Sequence, residues 1–329
     1  MKKLRVGVIG TGYIGKFHAE KYAGMNGVEL VGVVDTEKEK AEDTAATLGI
    51  SAYTNYKDLF GKVDAVSIVV PTPIHFAVSK DFLENGIDVL IEKPITTTLE
   101  EADELIKIAE SKDLIIQVGH LERFNPAVVA LQDIVKNPRF IESHRLSIYK
   151  ERCTDVSVVL DLMIHDIDII LNFVRSGIKS IHAAGIPVIS KHVDIANARL
   201  EFENGCVANV TASRISTKNE RKIRLFQRDA YVSVDFANHE ITVIRQNEKS
   251  SNTLIPGMEI KQLCFTKSDA LEDELKSFVR SVQNRKAPEV TGQMGRDALK
   301  TALSIMKQIN KSNGSLLQTK TRINNLEKI

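Results

Sequence analysis

The chain has 329 residues, 43% of them apolar and 26% charged, a balance that suits folded globular domains and a length that allows two of ordinary size. Its formal net charge of +1 supplies no overall field for nucleic acid or an anionic membrane, so an anionic ligand has to be held by local groups. Cys153, Cys206 and Cys264 are odd in number and far apart, with no CxxC pair and no His/Cys cluster of zinc spacing. They read as free thiols in a reducing compartment, and no metal is expected. Met1-Lys2-Lys3 has the charge of a secretion-signal start, but the apolar run behind it, Val6 to Ile9, is too short and runs into glycines. No run approaches the length of a membrane span. The expectation is a cytoplasmic protein without nucleic-acid or membrane partners, in which the sequon Asn209-Val210-Thr211 carries no weight.

Leu4 to Ile9 is a short apolar run ending at Gly10, and it reads as a buried parallel strand. Gly10-Thr11-Gly12-Tyr13-Ile14-Gly15 follows, then a helical stretch through His18, Ala19 and Tyr22. A GxGxxG is weak by itself. Here it lies between a strand and a helix, where a dinucleotide loop belongs. Gly10 permits the tight turn, Gly12 lets the backbone approach a pyrophosphate, and Gly15 allows helix and strand to pack closely. The helix start then offers its N–H groups to phosphate. A second strand, Glu29 to Val34, leads to Asp35, about 20 residues after Gly15, where an acidic residue meets the adenosine ribose. The plainer reading of Asp35 is a solvated cap for the helix over 37–48; behind this glycine loop the ribose reading is preferred. A carboxylate there repels a 2′-phosphate, so NAD is expected over NADP, although Lys38 and Lys40 lie close by.

The alternation continues. Val63 to Val70 is an apolar strand, and Pro71-Thr72-Pro73-Ile74-His75 turns into a helix that ends near Asn85-Gly86. Ile87 to Ile91 is the next strand, finishing in Glu92-Lys93-Pro94. Thr98 and Glu101 make a capping box ahead of a helix whose apolar stripe is Leu99, Ala102, Leu105, Ile106 and Ala109. Leu114 to Val118 is another strand. This order predicts an α/β domain with a doubly wound parallel sheet, in which ligands sit at the carboxyl ends of the strands. Asp35, Thr72, His75, Lys93 and His120 all fall at or just past those ends.

After Glu122-Arg123-Phe124-Asn125-Pro126 a helix runs to about Val135, and the pattern changes. Ser143–Tyr149, Ser180–Ile189, Asp194–Phe202, Cys206–Arg214, Lys222–Gln227, Tyr231–Asp235 and Glu240–Arg245 read as strands joined by polar turns. The domains are therefore placed at 1–121 and 122–329. Ala198, Leu200 and Phe202 share a face with Cys206, Ala208 and Val210 only if the hairpin loop at Asn204-Gly205 has three residues, which predicts a bulged loop. Helices over Asp269–Gln283 and Gln293–Asn310 are expected to pack back on the body, the first domain included.

Asp161, His165 and Asp168 lie on a helix predicted from about Ser157 to Phe173 and, at i, i+4 and i+7, share one face. The positions around them are apolar on nearly all sides, so the helix is buried and its polar stripe needs partners or a cavity. A satisfied core network would be the plainer account of a single histidine. Three ionisable groups opposite a cofactor domain favour a site.

Together these pieces resemble the glucose–fructose oxidoreductase/inositol dehydrogenase (Gfo/Idh/MocA) family over essentially the whole chain. The resemblance rests on Gly10–Gly15, Asp35, Thr72-Pro73-x-His75, Glu92-Lys93-Pro94, Arg123-Phe124-x-Pro126 and Asp161-x-x-x-His165-x-x-Asp168. It implies an N-terminal Rossmann domain and a C-terminal α+β domain whose open-faced, mostly antiparallel sheet makes a homodimer or homotetramer. It also implies Lys93, Asp161 and His165 as catalytic residues. Met163 departs from the glycine that many members carry there. Within the family, the segments 119–126 and 159–166 look most like members that oxidise the 3-hydroxyl of a UDP-N-acetylhexosamine.

The residues expected at the cofactor are Gly10, Thr11, Gly12, Tyr13, Ile14, Gly15, Asp35, Pro71, Thr72, His75, Glu92, Lys93 and Arg123. Those expected at the substrate are Lys93, Arg123, Asn125, Arg152, Asp161 and His165, with Arg123, Lys150, Arg152 and Arg214 as candidate diphosphate partners. For Lys150 and Arg214 solvated surface charge is an equal reading. His165 is expected to take the hydroxyl proton, Asp161 to orient the imidazole, and Lys93 to stabilise the developing alkoxide. Lys93 beside a cationic nicotinamide is an alternative base. A free-polyol dehydrogenase of the inositol type and a non-catalytic NAD-binding regulator are the rival readings.

Overall fold

Short aliphatic runs punctuated by glycine and proline lay down a six-stranded sheet. Its strands are β1 (Leu4–Ile9), β2 (Val28–Val34), β3 (Ser51–Tyr53), β4 (Ala65–Ile68), β5 (Asp88–Glu92) and β6 (Ile116–Gly119). They pair in parallel in the order β3-β2-β1-β4-β5-β6. The connections carry α1 (Tyr13–Ala23), α2 (Lys38–Leu48), α3 (His75–Glu84) and α4 (Leu99–Lys112). This is the predicted doubly wound arrangement, with the order reversing between β1 and β4. Ligands of such sheets sit at that reversal. The capping box of α4 is present: Thr98 Oγ1 accepts the Glu101 N–H at 3.2 Å, and Glu101 Oε2 accepts the Thr98 N–H at 3.1 Å.

Beyond Phe124 the alternation of apolar and polar residues builds a second, eight-stranded sheet. After α5 (Pro126–Ile134) come β7 (Phe140–Ile148) and α6 (Ile164–Val174), which a π turn over Val159–Met163 precedes. Then follow β8 (Ile178–Ile186), β9 (Ile195–Phe202), β10 (Val207–Ser216), β11 (Glu220–Gln227), β12 (Ala230–Asp235), β13 (Glu240–Gln246) and β14 (Met258–Cys264). The order is β14-β13-β12-β11-β7-β10-β9-β8, antiparallel except between β7 and β10. One face is core: Ala198, Leu200, Ala208, Val210, Ile223, Leu225, Val232 and Val234 are fully enclosed, while their neighbours in sequence are not. The register pairs Ala208 with Leu200 and Val207 with Glu201, which leaves Phe202 across from Cys206 and a three-residue loop, as parity requires. β3 and β14 are not among the predicted strands. Only three residues long in one case, and largely exposed with no apolar alternation in the other, they carry no periodic signal.

The chain ends in α7 (Ala270–Asn284) and α8 (Gly292–Leu326), the latter longer than its predicted extent. Two units are defined: Met1–Phe124 with Asp269–Leu299, and Asn125–Ser268 with Lys300–Ile329. In the first unit α7 presents Leu275, Phe278, Val279 and Val282 to a core that includes Val6, Val8 and Tyr22. Truncation of the enclosed Phe278 to Ala would cost roughly 3–5 kcal/mol. This computed structural model describes residues 3–149, 156–247, 257–266 and 268–326. Lys150, Arg152 and Cys153 lie outside them. Within them no helix is long and apolar enough to cross a membrane, and no group of His, Cys, Asp and Glu is arranged to hold a metal.

Candidate active site

The turn after β1 is shaped by two glycines. Gly10 has φ +98°, and a Cβ on it would lie 2.4 Å from the Val69 carbonyl oxygen. A Cβ on Gly15 would lie 1.9 Å from the Gly10 carbonyl, so α1 approaches the turn more closely than any side chain permits. Gly12 is the opposite case, with open space around it. It caps α1 without any side-chain hydrogen bond, and Tyr13 and Ile14 beside it are exposed. A groove of about 390 Å³ opens here, lined by Thr11, Gly12, Tyr13, Lys16, Phe17, Glu20 and Lys40. An uncapped helix start under open space, with Lys16 at hand, suits a pyrophosphate.

Asp35 is bound into the same turn. Its Oδ2 accepts the Thr11 N–H at 2.8 Å and the Thr11 hydroxyl at 2.9 Å, and its Oδ1 accepts the Glu37 N–H at 3.0 Å. Partial burial works against its charge, but these donors and Lys40 outweigh it and hold the carboxyl below its ordinary range. Asp35 thus steadies the approach to α2 and keeps a negative charge at the end of β2. Lys40 is paired with Glu37 and Lys38 with Glu42.

At the neighbouring strand ends the residues divide into those that face outward and those that brace. Pro71 is exposed and Thr72 half-buried past β4. His75 is buried, with Nδ1 2.9 Å from the Pro94 carbonyl and Nε2 2.8 Å from the Val70 carbonyl. Burial lowers its proton affinity against those two carbonyls. It ties the turn after β4 to the turn after β5 rather than offering a ring nitrogen to a ligand. Lys93, directly after β5, is half-buried, and its N–H donates to Glu92 Oε2 at 3.2 Å. Glu92 in turn lies 3.4 Å from the enclosed His18, through Oε1 and Nε2. Burial opposes the charge of Glu92, yet His18 and Lys93 hold its carboxyl below the ordinary range.

Arg123 and Asn125 are less available to ligands than their place in the sequence suggests. Arg123 is 3% exposed and its Nη2 donates to Met294 Sδ at 3.4 Å. Asn125 is buried and caps α5, its Oδ1 accepting the Ala127 N–H at 3.0 Å. Arg214 is neither a solvated charge nor open to a diphosphate: it is buried, with Nε 3.7 Å from Asp194 Oδ1 and Nη2 donating to the Val156 carbonyl.

In the second unit the polar stripe spans a change of helix type. Asp161 sits in the π turn and His165 in the first turn of α6, both half-buried, whereas Asp168 is enclosed. The wider turn breaks the simple 3.6 period that put all three on one face. π turns recur at functional positions. The strongest charge pairing belongs to a residue outside the stripe: Asp166 accepts from Arg145 Nε and Nη2 at 2.8 and 3.0 Å, with both side chains buried. Two further groups are not singled out by the sequence pattern, His18 and Glu274. For Glu274 a signal is legible, because it stands on the stripe of Leu271, Leu275 and Phe278 where α7 meets the core.

A dinucleotide-type glycine loop, an acidic residue after β2 and a Lys after β5, joined in sequence to a mostly antiparallel sheet, define a two-unit oxidoreductase. Residues 4–120 match the oxidoreductase family with an NAD-binding Rossmann fold, and residues 136–233 match the GFO/IDH/MocA C-terminal domain. The chain is also 37% identical, over 93% of its own length and 97% of the relative's, to UDP-N-acetylglucosamine 3-dehydrogenase of Acidithiobacillus ferrooxidans. It belongs to the Gfo/Idh/MocA oxidoreductase family. A solved structure of that Acidithiobacillus enzyme superposes with a TM-score of 0.90, covering 94% of this chain and 98% of the other at 37% identity. A scyllo-inositol 2-dehydrogenase (NAD(+)) of Bacillus subtilis is 28% identical over 88% of this chain and 89% of its own.

Proposed function

We propose that this protein uses NAD to oxidise the 3-hydroxyl of a UDP-N-acetylhexosamine to a ketone, as a cytoplasmic homodimer or homotetramer. The observation that carries the substrate is the 37% identity to a UDP-N-acetylglucosamine 3-dehydrogenase, which spans 93% of the chain, against 28% for the inositol enzyme. The preference for NAD is supported by Asp35, kept ionised by Thr11 and Glu37, and by Lys38 and Lys40, each tied to a glutamate and so poorly placed to receive a 2′-phosphate. Gly10 to Gly15 would receive the pyrophosphate and Pro71 and Thr72 would border the nicotinamide side. When bound, the nicotinamide accepts the hydride of the carbinol carbon.

The protein's part is to hold the sugar and handle the proton. We assign to His165 the acceptance of the hydroxyl proton, since imidazole titrates near neutral pH. Asp161, four residues earlier across the π turn, orients that ring. Lys93 donates to the same oxygen as negative charge develops on it. Single-turnover hydride transfer in Lys93→Met and His165→Asn tests the assignment. Each is expected to lose at least about 100-fold, the usual worth of a positioned acid or base; two near-wild-type rates would sink it. UDP alone should raise the melting temperature, and an inositol-type enzyme would not respond. Native mass spectrometry reads the oligomer.

A further inference from the structure

Behind the carboxyl end of β5 the first unit encloses ionisable side chains that the proposed chemistry does not use. His18 on α1, Tyr22 one turn later and Glu274 on α7 are fully buried, as is the neutral amide of Gln117 on β6. Glu92 is the member that reaches out: 19% of its side chain is exposed, and Lys93 is the next residue. His18 Nε2 stands 3.4 Å from one of its oxygens and the Lys93 N–H 3.2 Å from the other. Gly119, its partner across the β5–β6 register, leaves the room, because a Cβ there would lie 3.0 Å from the Glu92 carboxylate.

Glu274 is built differently. Among the described residues neither of its carboxyl oxygens has a hydrogen-bond partner, and Gln117 Nε2 donates at 3.1 Å to its backbone carbonyl instead. An ionised carboxylate in that setting costs far more than a hydrogen bond returns, so the group keeps its proton. Burial drives its proton affinity well up, and the negative charge of Glu92 acts in the same direction. The groups that interact electrostatically with this pair are His18 and Tyr22 from α1, Lys93 directly after β5 and His75 from α3. Buried His120 follows Gly119, with Arg123 on the next turn. Tyr22 is bonded to Ser67 at 2.9 Å, and burial holds its hydroxyl protonated.

We propose that the cluster is a positioning device for Lys93, in which Glu92, held between His18 and the Lys93 backbone N–H, fixes the turn that presents Lys93, and Glu274 is a stored proton in the same cluster. The inference rests on the assignment of Lys93 to the chemistry made above. Two measurements on the protein without substrate test it. At pH 7 the infrared spectrum should contain the carbonyl stretch of a buried protonated carboxyl group, which Glu274→Gln removes and Glu92→Gln leaves. Its absence from the wild type, or its survival in Glu274→Gln, overturns the stored proton. With ¹³C-methylated lysines, the Lys93 resonance, assigned by its loss in Lys93→Met, should move and broaden in Glu92→Gln while the resonances of lysines outside this turn stay in place. An unchanged Lys93 resonance in a folded Glu92→Gln overturns the positioning role, whatever happens to activity.

Should Glu92→Gln not fold, the infrared comparison decides alone. The kcat of the same variants separates this inference from the functional reading on which it rests. If the Lys93 resonance moves in Glu92→Gln and kcat survives in Lys93→Met, the cluster stands and Lys93 is not catalytic. If kcat needs Lys93 but the Lys93 resonance ignores Glu92, the catalytic assignment stands and the cluster falls.

Discussion

Two buried sites, one in each unit, handle ionisable groups in opposite ways. In the second, Arg145 meets Asp166 through two hydrogen bonds, and Arg214 stands beside an Asp194 that also accepts from Val188, Ile189 and Ser190. Every one of these charges has a partner or a set of donors, and each holds a piece of chain against the sheet. In the first unit the enclosed Glu274 has no such partner among the described residues, and the half-buried Glu92 has contacts with His18 and the Lys93 N–H. The difference teaches how to sort buried ionisable groups: those that are fully matched keep their charge and fasten the fold, and one left unmatched keeps its proton.

The largest effect expected from breaking this comparison lies at Asp166. Asp166→Leu removes the carboxylate that accepts two hydrogen bonds from the buried Arg145 and should cost roughly 3–5 kcal/mol by urea unfolding. Arg145→Met with Asp166→Leu should recover most of that, since a buried pair often exchanges for apolar residues without loss. Glu274→Gln should cost only about 1 kcal/mol, having no ion pair to break. A cost as large as that of Asp166→Leu would erase the distinction between the units.

A smaller effect is expected at Asp194, and it depends on pH. Burial opposes its charge, and the Ser190 hydroxyl and three N–H donors more than compensate, so its folded-state value lies well below the unfolded one. A carboxyl depressed on folding contributes stability that is present above the unfolded value, near ~3.9, and is lost as pH falls through the folded value below it. Asp194→Asn should therefore cost about 2 kcal/mol at pH 7, and its deficit against the wild type should shrink below about pH 4. A deficit constant from pH 7 to pH 2 would show that the donors do not favour the charge.

An effect smaller than that at Asp194 belongs to the cofactor end of the first unit. Asp35→Ser removes the charge that a 2′-phosphate would meet and should improve NADP relative to NAD by about tenfold in kcat/KM, about 1.4 kcal/mol. Weaker NAD binding is expected beside it, because Thr11 loses its acceptor. No change in the NADP to NAD ratio would show that discrimination lies elsewhere.

Much of the fold, and one face of the candidate site, is legible in the amino-acid sequence alone. Periodicity places most strands and helices, parity chooses a three-residue loop at Asn204-Gly205, and the order Gly10–Gly15, Asp35, Lys93 marks the cofactor face. These features depend on the chain's own neighbours, on a φ that only glycine takes easily, or on a period of 2 or 3.6, and such information is local. What the sequence does not determine is which polar residues are matched. His75, Asn125 and Arg214 look like ligand groups and are held by Val70 and Pro94, by Ala127, and by Asp194 and Val156. Glu274 looks like one more charge on an amphipathic helix and is enclosed in the same unit as Glu92, 182 positions earlier. Hydrogen-bond satisfaction and the protonation of a buried acid are set by groups brought close from distant parts of the chain, so tertiary packing alone decided them.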